Sequence, residues 1–272
     1  MYFTGGSFPA SSELWVLYSK GKQTYNQLAI EFNCSERTIR RKLDSHLPLI
    51  PSKTPRPVII LMDTTYWGRN FGVMLFKDNI TKENLLKYYV KSETNALYKK
   101  GIDELKARGF TIVAIVCDGR RGLMQLFEYT PIQMCQFHQV AIIRRYITKN
   151  PKLQASIELK EIVGLLKQTD KESFEGVLND WYSKWKPFLN ERSTNLETGK
   201  SHYIHKRLRS AHRSLKTNLK WLFTWYDNIE LNIPNTTNAI EGNFADLKNK
   251  LRNHNGLSIE RKKKFIDEFL KA

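Results

Sequence analysis

Two aspartates follow two short apolar runs of the chain. Asp63 follows residues 58–62, and Asp118 follows residues 111–117. Runs of this length that are rich in β-branched residues predict buried strands, with each aspartate at the last position of its strand. We therefore expect both carboxylates at one edge of a sheet, where they repel each other unless a cation lies between them.

A third acidic residue, Glu241, stands at the start of a predicted helix in the segment 235–243. Aspartate and glutamate supply the hard oxygen ligands that Mg²⁺ or Mn²⁺ prefers. Two such ions can activate an attacking oxygen and stabilise a leaving oxygen in phosphoryl transfer. The sequence thus predicts a metal-dependent nucleic-acid enzyme with Asp63, Asp118 and Glu241 as metal ligands.

Each acidic residue also has a purely structural interpretation. Asp118 can form a turn or cap a helix, and Glu241 can complete a capping box with Asn238. The helical periodicity favours a ligand role for Glu241. An apolar stripe is predicted at Ile240, Phe244, Leu247 and Leu251, and a second stripe, about 100° round the helix, carries Glu241, Lys248 and Arg252. A carboxylate beside Lys248 and Arg252 suits a metal ligand with DNA along the same face.

The charge of the chain indicates a nucleic-acid partner. The formal net charge is +17, from 44 lysines and arginines against 27 acidic residues. No acidic residue lies between Glu197 and Asp227, and this stretch includes candidate DNA contacts at Lys206, Arg207, Arg209 and Arg213. Clustered positive charge of this kind binds a phosphate backbone, although such runs are often only a solvated face. We expect it to form a basic wall beside the catalytic face.

The amino-terminal part predicts a small helix-turn-helix DNA-binding domain over residues 1–47. Residues 12–44 favour three short helices, and the third would point Arg37, Arg40 and Arg41 outward, as a recognition helix in a major groove does. The alternative is any small basic helical hairpin. A proline-rich linker follows over residues 48–57.

The central part predicts a mixed α/β domain formed by residues 58–139 and 235–272, interrupted by a helical insertion at residues 140–234. The predicted elements before the insertion are strands at 58–63, 71–77, 84–90, 111–117 and 132–135, with helices at 94–108 and 121–128. Three cysteines are too few for a disulfide framework, and no apolar stretch approaches the ~20 residues that span a bilayer. We expect a cytoplasmic, nucleoid-associated protein with no membrane partner.

Four ordered segments resemble the mutator-type insertion-sequence transposases, which have an RNase H-like DDE catalytic core. The segments are MDTTYWGRNFG (62–72), VCDGRRGL (116–123), CQFH (135–138) and NTTNAIEGNF (235–244). The resemblance implies a catalytic triad at Asp63, Asp118 and Glu241, and it places the family's Cys-x-x-His signature at Cys135 and His138. It also implies an RNase H-like sheet, two bound Mg²⁺ or Mn²⁺ ions, DNA as partner and a homo-oligomer on that DNA.

The expected reaction is hydrolysis at a transposon end, followed by attack of the freed 3′-OH on target DNA. Two alternatives stay open: an inactive or domesticated DNA-binding regulator, and a stand-alone RNase H-like nuclease. Arg120 and Arg121 could contact phosphate or could form a solvated surface pair.

We expect no zinc, because Cys135 and His138 make only half of a four-ligand site. Relatives can carry a cysteine-rich segment ahead of the helix-turn-helix. Residues 1–10 contain no cysteine, which indicates a shortened or diverged copy.

Overall fold

A computed structural model describes residues 9–252, 254 and 257–272. The first eight residues of the predicted domain 1–47 lie outside the described residues. The chain forms two compact units, one of Met1–Thr54 with Glu241–Ala272 and one of Pro55–Ile240. The boundary between Thr54 and Pro55 falls within the predicted linker.

Helices occupy much of the described chain. In chain order they are α1 Ser11–Ser19, α2 Tyr25–Glu31, α3 Glu36–Ser45, α4 Asn95–Ala107, α5 Gln136–Ile147, α6 Gln154–Leu165, α7 Lys171–Leu189, α8 Lys206–Leu222, α9 Thr224–Asp227, α10 Asn238–Arg252 and α11 Ile259–Leu270. Short 3₁₀ helices lie at Met124–Phe127 and Ile229–Leu231.

The strands of the larger unit form a mixed five-stranded sheet and a separate hairpin. They are β1 Pro57–Tyr66, β2 Gly72–Asp78, β3 Asn84–Val90, β4 Thr111–Cys117, β5 Ile132–Met134, β6 Arg192–Thr194 and β7 Ser201–Tyr203. The sheet order is β3-β2-β1-β4-β5. β1, β2 and β3 pair antiparallel, whereas β4 pairs parallel with both β1 and β5. The predicted mixed α/β fold is confirmed.

The sheet is buried because its central strands carry continuous apolar runs. All residues of β2 are buried, as are Val58 to Met62 in β1. Helix α4, capped by Thr94, packs Tyr98 and Ile102 into the same core. Gly101 permits this contact, since a Cβ there would stand 2.0 Å from the Phe76 ring.

Two predicted elements differ from the observed ones. β1 does not end at Asp63 but continues to Tyr66, because Thr64, Thr65 and Tyr66 remain paired with β2. The predicted helix at 121–128 is wrong: this segment is a turn followed by the 3₁₀ helix at Met124–Phe127. Gly122 has a φ of +79°, which no right-handed helix accommodates.

The region from α5 to α9 is helical, as predicted, and adds the β6–β7 hairpin that the sequence did not reveal. Trp181 is buried, and its indole N–H donates to the Ala155 carbonyl at 3.0 Å, which ties α7 to α6. No helix in the described part of the chain combines the length and apolarity that crossing a bilayer requires.

The smaller unit contains α1 to α3, close to their predicted positions, together with α11 and most of α10. Trp15 packs near Phe265 and stacks on His46 at a ring distance of 5.0 Å. Arg261 forms an ion pair with Asp44 at 2.6 Å. The predicted domains instead grouped residues 235–272 with the sheet. The difference arises because α11 buries its apolar face against the amino-terminal helices.

Candidate active site

Asp63 lies in β1, and Asp118 directly follows β4, the neighbouring parallel strand. β1 and β4 pair Ile60 with Ile115 and Leu61 with Val116, an offset of 55 residues that equals 118 − 63. Continuing this register one step past β4 sets Asp118 beside Asp63. Adjacent strands are ~4.8 Å apart, and residues in the same register project to the same side.

The charges of both aspartates act on the same two buried groups. Burial raises the pKa of Tyr98 well above its usual value, and the charges of Glu93, Asp118 and Asp63 raise it further. Burial likewise raises the pKa of Cys117, and the charges of Asp118 and Asp63 add to that effect. Asp63 and Asp118 therefore share one local environment.

Glu93 is a third carboxylate in this environment, and no local sequence pattern indicates it. The Tyr98 hydroxyl donates to Glu93 Oε1 at 2.8 Å and also hydrogen-bonds the Thr64 hydroxyl at 2.9 Å. Burial raises the pKa of Glu93, and the charge of Asp118 raises it further, against the lowering effect of the Tyr98 hydrogen bond.

Topology was the signal that could have revealed Glu93. β3 runs in the same direction as β1 and β4, since each step from β1 through β2 to β3 reverses direction. The segment after β3 therefore emerges at the same sheet edge as the ends of β1 and β4, and Glu93 lies in that segment.

Backbone amides orient the two aspartates. The Thr64 N–H donates to Asp63 Oδ1 at 2.7 Å, and the Arg120 N–H donates to Asp118 Oδ1 at 3.2 Å. These donors limit the rotation of the two carboxylates. Ionised carboxylates oriented in this way are suitable ligands for a hard cation.

Cys135 and His138 lie at the beginning of α5, directly after β5. Cys135 is fully buried, and its Sγ accepts hydrogen bonds from the N–H and the hydroxyl of Thr237, both at 3.3 Å. Burial alone would raise the pKa of Cys135, but hydrogen bonds from His138 and Thr237 outweigh it and lower that pKa. The Gln136 N–H donates to the Asn235 carbonyl at 2.9 Å. The Cys-x-x-His segment thus anchors the chain that leads into α10.

Glu241 lies in the first turn of α10 and is partly exposed. The predicted apolar stripe of this helix is confirmed, since its members are all buried: Ile240, Phe244, Leu247 and Leu251. On the same helix, Lys248 is partly exposed and Arg252 is exposed. A carboxylate in the first turn also interacts favourably with the helix dipole.

The arginines of α3 are exposed, as predicted for Arg37, Arg40 and Arg41. Arg40 pairs with Glu36 within the same helix at 3.0 Å. An exposed pair of this kind contributes little to stability and can exchange for a phosphate. All three arginines are therefore accessible to DNA.

The basic residues of α8 divide into two groups. Lys206, Arg207 and Arg213 are all exposed, but Arg207 also donates a hydrogen bond to the Arg145 carbonyl. Arg209 donates to the Leu189 carbonyl at 3.0 Å and lies over the Tyr203 ring at 3.7 Å. Arg207 and Arg209 thus also hold the helical region together.

Helix α8 runs antiparallel to α5. Its last residue, Leu222, accepts a hydrogen bond from Gln136 at the start of α5, whereas Arg207, at its first turn, reaches Arg145 near the end of α5. Because a helix rises about 1.5 Å per residue, the basic end of α8 is about 10 Å along α5 from His138. A cleft of about 640 Å³ at this end includes Tyr146, His202 and Lys206 in its lining.

Comparisons with known proteins identify the family. The family model for "Transposase, Mutator family" matches residues 81–254, which is more than half of the chain. No curated protein matches this sequence. Among solved structures, the cryoEM structure of a simian T-cell lymphotropic virus intasome in complex with PP2A regulatory subunit B56 gamma aligns at 11% identity, over 74% of this chain and 68% of that chain. Its TM-score is 0.25, which is too low to establish a common fold. The family match confirms the resemblance inferred from the motifs, and the chain belongs to the Mutator family of transposases.

Proposed function

We propose that this chain is a DNA transposase that hydrolyses DNA at transposon ends and joins the freed 3′-OH to target DNA. Asp63, Asp118 and Glu241 are its proposed catalytic residues and metal ligands. The observation that carries the proposal is that Asp63 lies in β1 and Asp118 directly follows the adjacent parallel strand β4, at the position that continues the register of the two strands, in a member of a transposase family.

The strand arrangement supports the proposal that the sheet is RNase H-like. Three antiparallel strands are followed by two parallel ones in the order β3-β2-β1-β4-β5. The acidic residues follow or lie near the ends of β1, β3 and β4, at one edge. In the same proposal, α1 to α3 form a helix-turn-helix domain that presents the α3 arginines to DNA.

The donor set fits Mg²⁺ or Mn²⁺ better than a softer metal. The proposed ligands are carboxylate oxygens, whereas burial keeps the Cys117 thiol protonated by raising its pKa. The Cys135 sulfur already accepts two hydrogen bonds from Thr237. Two divalent ions held by Asp63, Asp118 and Glu241 would supply Lewis acidity to the attacking and leaving oxygens of phosphoryl transfer.

The residues around these carboxylates prepare the site. The Thr64 and Arg120 amides fix the orientation of Asp63 and Asp118. Cys135 accepts hydrogen bonds from Thr237, the residue directly before α10. In this proposal Cys135 and His138 position the segment and bind no zinc.

DNA binding would use the exposed arginines of α3 and the exposed basic residues of α8 and α10. Lys206, Arg213, Lys248 and Arg252 are the strongest contact candidates, while Arg207 and Arg209 contribute charge from more fixed positions. We further propose that the protein acts as a homo-oligomer on the nucleoid, since joining two transposon ends requires two active sites.

One reaction separates the proposed activity from its alternatives. The full chain is incubated with Mn²⁺, labelled duplexes carrying the DNA that flanks the coding sequence, and a target plasmid. Joined product supports a transposase, nicks without joining indicate a nuclease, and bound but intact DNA indicates a regulator.

Metal specificity supplies the control for ligand identity. Asp63→Asn should abolish cleavage while DNA affinity is kept or slightly raised, because a negative charge near phosphate is lost. Asp63→Cys should be more active with Mn²⁺ than with Mg²⁺, since a thiolate is a softer ligand than a carboxylate. If Asp63→Cys loses the same fraction of its cleavage activity with Mn²⁺ as with Mg²⁺, a ligand role for Asp63 is contradicted.

A further inference from the structure

The loop after β4 holds one arginine beside the proposed catalytic centre. Arg120 follows Asp118 by two residues, and its N–H donates to the Asp118 carboxylate at 3.2 Å. The loop is closely packed at Gly119, where a Cβ would stand 2.1 Å from the Met134 side chain. The backbone of Arg120 is therefore held in a fixed position relative to Asp118.

The side chain of Arg120 is held by residues from the start of α4. Its Nε donates to Asn95 Oδ1 at 2.7 Å, and its Nη1 lies 3.8 Å from Glu93 Oε2. Asn95 is the first residue of a helix capped by Thr94, so it is a rigid support. Within the described residues, Nε is the only side-chain donor of Arg120 that makes a hydrogen bond.

The two terminal nitrogens of Arg120 remain available to a ligand. The side chain is 37% exposed, and the contact with Glu93 is an ion pair longer than a hydrogen bond. A planar guanidinium that keeps its terminal N–H groups accessible matches the oxygens of a phosphate in a bidentate manner. Glu93 orients the guanidinium of Arg120 but leaves its terminal N–H groups accessible.

Arg121 has a different environment although it is the next residue. It is exposed, and its backbone carbonyl accepts a hydrogen bond from Asn95 Nδ2 at 3.0 Å. Asn95 therefore uses its oxygen to hold the Arg120 side chain and its nitrogen to hold only the Arg121 backbone. The structure separates two arginines that the sequence could not distinguish.

The negative charges near Arg120 indicate a function for its guanidinium. Asp63, Asp118 and Glu93 repel an approaching DNA phosphate, and a fixed cation among them offsets part of that repulsion. We propose that Arg120 is a catalytic residue that contacts the scissile phosphate, with Asn95 and Glu93 as its positioning residues. This inference rests on the proposed transposase function and specifies the substrate contact at that site.

Single-turnover cleavage of end DNA by the full chain tests the proposal, with Arg121→Ala as the matched control. Arg120→Ala should lower the cleavage rate about 100-fold or more, the usual effect of removing one donor to a developing charge. Arg120→Lys should recover part of the rate, and Arg121→Ala should remain within a few-fold of wild type. Asn95→Ala should slow cleavage and add little when combined with Arg120→Ala, because both act through one guanidinium.

A binding measurement distinguishes phosphate contact from a structural effect. A methylphosphonate at the mapped scissile position removes one phosphate charge, and affinity is measured in Ca²⁺. The neutral methylphosphonate should weaken DNA binding to the wild-type protein and to Arg121→Ala, but not DNA binding to Arg120→Ala. An equal loss in all three proteins overturns the phosphate contact. If wild type cleaves no DNA, the proposed function fails; if it cleaves and Arg120→Ala behaves like Arg121→Ala, only this inference fails.

Discussion

Neutralising Asp63 should stabilise the metal-free protein and strongly reduce its stabilisation by added metal. Asp63 lies in β1, and Asp118 directly follows the adjacent parallel strand β4 at the position that continues its register with β1. Two unit charges about 5 Å apart at an effective dielectric constant of about 20 repel each other by about 3 kcal/mol. Both residues are partly exposed, so water screening reduces this energy, and we expect a gain of about 1–2 kcal/mol for Asp63→Asn. Asparagine keeps the oxygen that accepts from the Thr64 amide.

Thermal denaturation in EDTA and in Mn²⁺ measures this effect. A gain of 1 kcal/mol corresponds to a rise in Tm of roughly 2–4 °C for a unit of about 150–250 residues. Wild type should gain Tm when Mn²⁺ is added, and Asp63→Asn should gain much less. Asp103→Asn is the matched control, since Asp103 is exposed on α4 and, among the residues that the structure describes, forms its one ion pair with Lys99 of the same helix at 2.8 Å. The reasoning is refuted if Asp63→Asn destabilises the protein in EDTA, or if Mn²⁺ stabilises it as much as wild type.

Three further predictions concern an ion pair, a buried hydroxyl and the basic surface. Arg56→Ala should cost about 3 kcal/mol at neutral pH in urea denaturation, because it leaves the fully buried Asp78 carboxylate without its ion pair. Burial would raise the pKa of Asp78, but hydrogen bonds from Thr81, Ile80 and Arg56 lower it. Its stabilisation is therefore present above pH ~4 and lost as the pH falls through the lowered pKa, so the deficit of Arg56→Ala should shrink in acid. Tyr98→Phe should lower stability by about 1–2 kcal/mol through loss of the Thr64 and Glu93 hydrogen bonds, with unchanged DNA affinity in a gel shift. Combined Lys206→Ala and Arg213→Ala should reduce the slope of log affinity against log salt by about two, since each cation that neutralises a phosphate contributes about one unit.

Sequence patterns identified the strands that are buried on both faces and the helices that bury one apolar face. The apolar runs at 58–62 and 111–117 became the adjacent parallel strands β1 and β4, because such runs are buried on both faces of a sheet. The helical stripe from Ile240 to Leu251 was predictable for the same physical reason. The extension of β1 beyond Asp63 to Tyr66 was not predictable, because it depends on pairing with β2 rather than on local composition.

The candidate site shows the same division between local and long-range information. The two aspartates were visible from strand position and motif spacing. Glu93 comes near them because of the direction of β3. Arg120 differs from Arg121 through its side-chain contacts with Asn95 and Glu93, which lie more than 20 residues earlier in the chain. The partial burial of Arg209 likewise depends on Tyr203 and on the unpredicted hairpin. Such assignments require the fold, since no local pattern encodes them.

The most direct test of the central claim is the position of bound metal. We propose co-crystallisation of the full chain with Mn²⁺ and end DNA, with the ions located by anomalous scattering. Two ions ~3.5–4 Å apart, coordinated by carboxylate oxygens of Asp63, Asp118 and Glu241, are the predicted result. Ions bound elsewhere, or a Glu241 carboxylate that contacts neither ion, would contradict the account.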